Sequence, residues 1–280
     1  MLGNAAHPGP ALPAPEQKAA TVRRMFDSIA PRYDLLNHLL SLNIDKLWRR
    51  RAVDRLVGRA EKSAQRGMAA PREEGGIIPG GAPRGPESRG RSALWLDACA
   101  GTLDLALELA RRPTFAGRVV ASDFTFAMLA HGRRKLRGER LDTTCADALA
   151  MPFPDDVFDG AMVAFGVRNL ADVEQGLREA ARVLKPGAPL VILEFTTPGW
   201  QPFRALYLTY FRRILPLVGR LVSKNRSAYE YLPASVLEFP EPPALAALMR
   251  GSGFEDVSWE TMTGGIVAIH RGIKSGPVLR

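Results

Sequence analysis

From residue 93 onward, short runs of apolar residues alternate with segments in which apolar residues recur at helical spacing. The runs are typical of strands buried on both faces, and the segments between them predict helices. The predicted strands are ALWLDA (93–98), GRVVASD (117–123), LDTTCAD (141–147), FDGAMVAFG (158–166) and APLVILEF (188–195). Because strands and helices alternate at short intervals, the pattern predicts a parallel sheet with helices on both faces. Such sheets bind ligands at the carboxyl ends of their strands.

The pattern changes on both sides of this α/β domain, which we place at residues 93–272. Residues 1–20 are rich in Ala and Pro and predict a disordered tail, whereas helical periodicity over 21–58 predicts a helical cap. Clustered Gly, Pro, Ser and Arg predict a disordered insert at 59–92, and residues 273–280 read as a short tail. Before that tail, a helix and two strands in hairpin order predict an antiparallel edge to the sheet.

Composition narrows the class of protein. Hydrophobic residues make up 46% of the chain, which is enough for a large core, and two cysteines argue against a disulfide framework or a metal site. The N-terminus has no cationic start followed by an apolar stretch, and no apolar segment is long enough to span a bilayer. We therefore expect a cytoplasmic protein. The net charge of +9 suits RNA and anionic lipid headgroups equally well.

Acidic residues follow successive predicted strands. The first strand ends at Asp97 and turns through small residues up to Gly101, where a ligand can approach the backbone closely. Asp123 ends the next strand, where a carboxylate can accept both hydroxyls of a ribose, and Asp147 with Ala148 follows the third strand, where an adenine ring would lie. Each alone is equally typical of a capped turn. Together they predict an adenosine cofactor, without separating a nicotinamide dinucleotide from S-adenosylmethionine.

Eight longer motifs carry a family resemblance. They are FDSIAPRYDLLNHLLSLNIDKLWRR (26–50), LDACAGTLDLA (96–106), MPFPDDVFD (151–159), VAFGVRNL (163–170), REAARVLKPG (178–187), LVILEF (190–195), LPASVLEFP (232–240) and GGIVAIHRG (264–272). These motifs resemble the UbiE/MenG family, the ubiquinone and menaquinone biosynthesis C-methyltransferases. The resemblance extends from Val22 to Gly272 outside the predicted insert.

The resemblance implies a class I S-adenosylmethionine-dependent methyltransferase, with a doubly wound, Rossmann-like α/β sheet, antiparallel C-terminal edge strands and an N-terminal helical cap. It implies transfer of a methyl group to a ring carbon of a polyprenyl quinol, either demethylmenaquinol or its benzoquinol counterpart. The enzyme would work in the cytoplasm or at the inner membrane face. Which quinol is used, and whether the chain forms a homo-oligomer or joins a quinone-biosynthesis complex, stays open.

The family's cofactor contacts fall here on Thr102, Asp123, Asp147 and Ala148. A further contact, usually serine, falls on Ala164, so one hydrogen bond is missing. The main departure is Leu103, which stands where the family has the second glycine of its turn. A branched side chain there would crowd the cofactor or resist a positive φ, unless it begins the helix and turns toward the core.

The resemblance also implies catalytic residues. Because the ring carbon attacks only when a neighbouring oxygen is ionised or nearly so, the site needs a group that stabilises a phenolate. Arg168 stays protonated, so we expect it to orient that oxygen or a water and to stabilise negative charge, while Asn169 holds the ring. His270 is a candidate base, with a core histidine as the alternative. The candidate lid residues in the cap are Tyr33, Asp34 and Asn37.

Two other readings compete. The basic charge would suit a nucleic-acid methyltransferase, although the chain lacks the Asn/Asp-Pro-Pro-aromatic tetrad that positions a base amine. The substitution at Leu103 would suit a non-catalytic scaffold of the quinone-synthesis assembly. Residues 203–222 are amphipathic, with aromatic and cationic residues, and read either as an entry for a polyprenyl tail or a peripheral membrane contact, or as an ordinary packed helix.

Overall fold

The computed structural model describes residues 13–34, 37, 41–68, 92–210 and 226–276. Within these ranges seven strands form one sheet in the order β3-β2-β1-β4-β5-β7-β6. The strands are β1 (Leu94–Ala98), β2 (Arg118–Asp123), β3 (Leu141–Cys145), β4 (Gly160–Ala164), β5 (Pro189–Phe195), β6 (Phe254–Met262) and β7 (Val267–Lys274). Strands β1 to β5 are parallel, whereas β7 pairs antiparallel with both β5 and β6. The predicted α/β class with an antiparallel C-terminal edge is confirmed.

Helices cover both faces of the sheet. They are α1 (Pro15–Ile29), α2 (Ile44–Met68), α3 (Asp104–Ala110), α4 (Phe126–Arg133), α5 (Val173–Val183), α6 (Gln201–Thr209), α7 (Arg226–Glu238) and α8 (Pro242–Gly251). On one face, α2 and α3 pack through residues such as Leu56 and Leu109. On the other face, α5 and α8 pack through residues such as Leu177 and Met249. The central strands read as continuous apolar runs because both of their faces are covered.

Strand order reverses between β1 and β4, because β2 and β3 lie on one side of β1 while β4 and β5 lie on the other. At such a switch point the loops that follow the two strands diverge and leave a crevice. The loop after β1 carries Gly101, and the loop after β4 carries a short 3-10 helix, Val167–Asn169. The topology therefore brings the predicted cofactor turn and the predicted catalytic pair to one crevice.

Three predicted boundaries differ from the structure, the third being the end of the α/β domain, where β7 continues to Lys274 beyond the predicted end at residue 272. Helix α1 begins at Pro15, ahead of the predicted start of order at residue 21, because proline suits the first helical position and because Val22 and Met25 are buried. Helix α2 continues to Met68, into the predicted insert, through a stretch rich in Ala, Glu, Lys, Gln and Arg that favours helix. The rest of both predicted disordered segments, residues 1–12 and 69–91, lies outside the described residues.

The amphipathic stretch at 203–222 is described only up to residue 210, where it forms part of α6. No helix in the described ranges has both the length and the apolar character needed to cross a bilayer.

Candidate functional site

The loop after β1 winds through three positive φ angles: +55° at Cys99, +53° at Gly101 and +72° at Leu103. Leu103 is fully buried and caps the start of α3, so its side chain lies in the core. Gly132 on α4 makes this possible, because a Cβ there would approach Leu103 Cγ to 2.6 Å. The turn therefore accepts leucine in a left-handed conformation, and the position of the side chain agrees with the alternative that it turns toward the core.

Asp123 closes the crevice on the β2 side. Its Oδ2 accepts a hydrogen bond from the Gly101 amide and its Oδ1 accepts one from the Thr125 amide, each at 2.8 Å. These bonds fix the carboxylate at the mouth of the turn and leave further lone pairs on both oxygens. Burial raises the pKa of Asp123, while the two amides oppose that rise.

The first cavity lies at this crevice and has a volume of about 70 Å³. Five of the predicted cofactor residues line it: Gly101, Asp123, Asp147, Ala148 and Ala164. Ala19 and Phe26 of α1, together with Tyr33, form its outer wall. The structure thus assembles most of the predicted cofactor contacts in one place and covers them with the helical cap.

Two predicted cofactor residues lie behind this cavity. Thr102 is buried and donates its hydroxyl to Asp34, so it links the turn to the cap. Asp97 is 1% exposed, and neither of its carboxylate oxygens has a hydrogen-bond partner among the described residues. Burial raises the pKa of Asp97 to about 8, although the nearby Arg49 charge opposes that rise. A cation bound nearby would lower this pKa and favour the ionised carboxylate.

The cap is tied to the α/β domain by polar contacts. Asp34 also accepts a hydrogen bond from Lys135 Nζ at 2.7 Å. On α1, Lys18 Nζ donates to the carbonyl oxygens of Arg168 at 3.0 Å and Leu170 at 2.7 Å. Burial lowers the pKa of Lys18, with a weaker contribution from the Arg168 charge. Because Lys18 caps the 3-10 helix of the catalytic pair, α1 and that helix are positioned together.

The second cavity has a volume of about 390 Å³ and is lined mainly by apolar and aromatic side chains. Its lining includes Met25, Phe26, Ile29, Tyr33, Asn37, Ile44, Trp48, Arg49, Phe165, Arg168, Asn169, Phe195, Tyr207, Tyr210, Tyr231 and Ile266. Phe26, Tyr33, Phe165 and Asn169 also line the first cavity. Phe165 stands between the two with a positive φ of +58°. The cavities therefore meet at the loop that follows β4.

Arg168 is held rigidly in this second cavity. Its Nη1 donates to Glu194 Oε1 and to the Phe165 carbonyl, both at 2.6 Å, and Glu194 Oε2 accepts from the Arg168 amide at 3.3 Å. Both charged side chains are buried. The Nε of Arg168 has no hydrogen-bond partner among the described residues. A fixed guanidinium that lines a cavity can stabilise negative charge that develops on a bound molecule.

Asn169 lies beside Arg168. Its side-chain nitrogen donates to the Phe165 carbonyl at 3.2 Å, and its Oδ1 accepts from the Tyr231 hydroxyl at 3.2 Å. Burial raises the pKa of Tyr231 to about 12. Both polar ends of Asn169 are thus already engaged, which holds the amide at the junction of the two cavities.

His270 does not reach either cavity. It lies on β7 opposite Ile192 of β5, and its Nε2 is 2.9 Å from the Pro242 carbonyl oxygen. Its ring stacks on Trp259, and burial lowers its pKa. Its predicted role as a candidate base at the substrate site does not agree with the structure, because the register of β7 directs the ring under α8. The alternative of a core histidine fits this position.

The sequence did not identify Glu194, Arg49 or Lys18 as residues of the site. Glu194 carried a signal, since one carboxylate at the end of a buried apolar strand needs a cationic partner. Arg49 and Lys18 carried no such signal, because each belongs to a helix with other basic residues, and only the packing shows that Arg49 is buried and Lys18 partly buried.

Known proteins are similar to this chain over most of its length. A model of the ubiE/COQ5 methyltransferase family matches residues 14–70 and 84–274. A demethylmenaquinone methyltransferase of Thermus thermophilus is 45% identical over 250 residues, which cover 89% of this chain and 99% of that protein. A ubiquinone/menaquinone biosynthesis C-methyltransferase UbiE of Geobacter sulfurreducens is 42% identical over 262 residues, 92% of this chain and 90% of that protein.

Among solved structures, an S-adenosylmethionine-dependent methyltransferase of Thermotoga maritima shares the fold with a TM-score of 0.54 and 18% identity, over 90% of this chain and 99% of that one. The family resemblance predicted from the sequence motifs is confirmed, and so is the prediction of a methyltransferase. The chain belongs to the ubiE/COQ5 methyltransferase family.

Proposed function

We propose that the protein transfers a methyl group from S-adenosylmethionine to a ring carbon of a polyprenyl quinol. The observation that carries this proposal is the meeting of two unlike cavities at Phe165 and Asn169. The first offers a fixed carboxylate for a ribose, and the second offers an apolar chamber with one anchored guanidinium. The names of the relatives, which refer to menaquinone and ubiquinone synthesis, support the same class of acceptor.

The residues of the first cavity fit S-adenosylmethionine. Asp123 has lone pairs free for two ribose hydroxyls, and Asp147 and Ala148 lie where an adenine ring would follow. The buried Asp97 carboxyl lies close to the turn, and a bound molecule with a sulfonium and an ammonium group would favour its ionised form. When bound, that cofactor supplies an electrophilic methyl group.

Arg168 and Asn169 prepare the acceptor for attack. We assign to Arg168 the stabilisation of a phenolate, because its guanidinium stays protonated and the residue lines the second cavity. Asn169 holds the ring at the junction between the cavities. In the reaction the ring carbon bonds to the methyl group, the methyl–sulfur bond breaks with both electrons left on sulfur, and the ring carbon gives up its proton to water. The fixed position of Arg168 favours this ionised acceptor in the low dielectric of an apolar chamber.

The helical cap serves as a lid in this proposal. The first cavity, at about 70 Å³, is smaller than the roughly 300–1,000 Å³ of ordinary ligand sites, so the cap must move to admit a nucleoside. Tyr33 lines both cavities, Asn37 lines the second, and Asp34 ties the cap to the turn after β1. Amide hydrogen exchange over α1 tests this role: exchange should slow strongly when S-adenosylmethionine binds, and unchanged exchange would contradict it.

Peripheral membrane contact fits the exposed apolar residues near the second cavity. Leu42, which lines the cavity, is 77% exposed, and Trp200 and Leu206 on or beside α6 are 70% and 66% exposed. Such residues suit the surface from which a polyprenyl tail enters. Co-sedimentation with vesicles tests the contact: Leu206→Glu should lower binding, and equal binding of the variant and the unmodified protein would contradict it.

The class of acceptor is tested by methyl transfer itself. Purified protein is incubated with methyl-labelled S-adenosylmethionine and either a reduced demethylated quinol in detergent or total RNA. We expect label in the quinol alone. Label in RNA alone would favour the nucleic-acid alternative and overturn the proposal.

A further inference from the structure

Two guanidinium groups flank one pair of aromatic rings in the second cavity. The rings of Phe165 and Phe195 lie 4.5 Å apart, centroid to centroid, with their planes tilted by 31°. The guanidinium carbon of Arg168 lies 5.4 Å from the Phe195 ring centre, and that of Arg49 lies 5.4 Å from the Phe165 ring centre. All four residues line the same cavity. Arg49 thus presents a second cation to whatever the cavity holds.

Arg49 is buried with incomplete compensation. It is 8% exposed, and it forms ion pairs with Asp45 at 3.5 Å and with Asp104 at 3.9 Å. The contact with Asp45 runs through Nε, which is enclosed by protein, and the contact with Asp104 runs through Nη2. Both contacts are longer than ordinary hydrogen bonds, so an acceptor on a molecule in the cavity would give the guanidinium a hydrogen bond that the described residues do not.

We propose that Arg49 is a specificity-determining residue that binds the second ring oxygen of a 1,4-dihydroxylated acceptor. This inference rests on the proposed function. Arg168 serves the oxygen next to the carbon that is methylated, and Arg49 serves the oxygen on the opposite side of the ring. A ring with a single hydroxyl leaves Arg49 buried and unmatched. Sites built around a substrate hydroxyl reject analogues that lack it, because a buried polar group is then left without a partner.

The structure also suggests a purely structural role for Arg49, and the experiment must distinguish this role from substrate specificity. Through Asp104, Arg49 links α2 to the start of α3, so its loss could simply loosen the fold. The two roles differ in one respect. A structural defect lowers the rate with every acceptor, whereas a specificity defect affects only an acceptor that carries the second oxygen.

The test pairs two acceptors with two proteins. One acceptor is a short-chain prenyl 1,4-naphthalenediol, and the other is the same ring without the distal hydroxyl. The unmodified protein should prefer the diol by at least about a hundredfold in kcat/KM, and Arg49→Met should remove most of that preference by raising KM for the diol while leaving the mono-ol unchanged. An equal loss with both acceptors, or no loss with either, would overturn the proposal.

Two further variants serve as controls for effects on folding. Arg51→Met removes a neighbouring arginine that pairs with Glu260 on the exposed side of α2, and it should keep the full preference for the diol. If Arg49→Met does not fold, Arg49→Lys keeps the charge but loses the planar guanidinium with its several N–H donors, and it should still lower the preference. If the unmodified protein methylates both acceptors at equal rates, the proposed role of Arg49 is wrong and the proposed function stands. If it methylates neither acceptor, the proposed function itself is wrong.

Discussion

Glu194 holds Arg168 at two points, because its Oε1 accepts from the guanidinium Nη1 at 2.6 Å and its Oε2 accepts from the Arg168 amide at 3.3 Å. The carboxylate is 1% exposed and the arginine 7% exposed. Glu194 therefore fixes both the backbone and the side chain of the residue that we propose faces the acceptor. Its role is to position Arg168.

Replacing Glu194 with glutamine should destabilise the protein and slow turnover together. The change leaves Arg168 as an uncompensated buried charge, which typically costs about 3–5 kcal/mol, and frees the guanidinium to move. We expect kcat to fall at least about tenfold, as measured by quinol methylation. The control is Glu174→Gln, which breaks an exposed pair with Arg178 and should cost less than about 1 kcal/mol. Equal effects of the two variants would contradict the buried role of Glu194.

Asp123→Asn should weaken S-adenosylmethionine binding. The amide keeps one acceptor but turns an N–H toward a backbone donor, either Gly101 or Thr125, and it loses the charge that favours the ribose hydroxyls. We expect affinity to fall about tenfold to a hundredfold by calorimetry. Asp142→Asn, on the neighbouring strand in an exposed pair with Arg118, is the matched control and should bind normally. Normal binding by the Asp123 variant would place the ribose elsewhere.

At position 103 we expect glycine to destabilise the protein less than alanine does. Removing its fully buried side chain should cost about 2–5 kcal/mol, but only glycine also relieves the φ of +72°. Leu103→Gly should therefore be destabilised less than Leu103→Ala in urea unfolding. Because the side chain lies in the core, Leu103→Gly should change cofactor affinity less than about threefold. A large gain in affinity would show that leucine crowds the cofactor after all.

Because the pKa of Asp97 is raised, we expect the protein to lose stability as the pH rises. Burial raises its pKa to about 8 in the folded protein, against about 3.9 in the unfolded chain. Between these values the unfolded chain has released the proton and the folded chain still holds it, so the free energy of unfolding falls with rising pH. Without cofactor, Asp97→Asn should gain stability relative to the unmodified protein between about pH 5 and about pH 8. A constant difference across that range would contradict the raised pKa.

The sequence predicted the sheet well, because strands buried on both faces leave an unmistakable apolar signature in β1, β4 and β5. It also predicted which loops carry the site, since parallel topology fixes where strand ends meet. It did not predict the start of α1. The burial of Val22 and Met25 stabilises this helix, and the Ala- and Pro-rich composition before residue 21 gives no sign of it. Nor did it predict that Arg49 and Arg168 share a cavity, because that depends on the tertiary packing of α2.

The central claim is that an apolar chamber with a fixed guanidinium directs the methyl group to a ring carbon beside an oxygen. Carbon-13 NMR of the product formed from methyl-labelled S-adenosylmethionine and a demethylated quinol tests it most directly. The account predicts a labelled methyl bonded to a ring carbon ortho to a hydroxyl. A labelled methyl bonded to oxygen would contradict it.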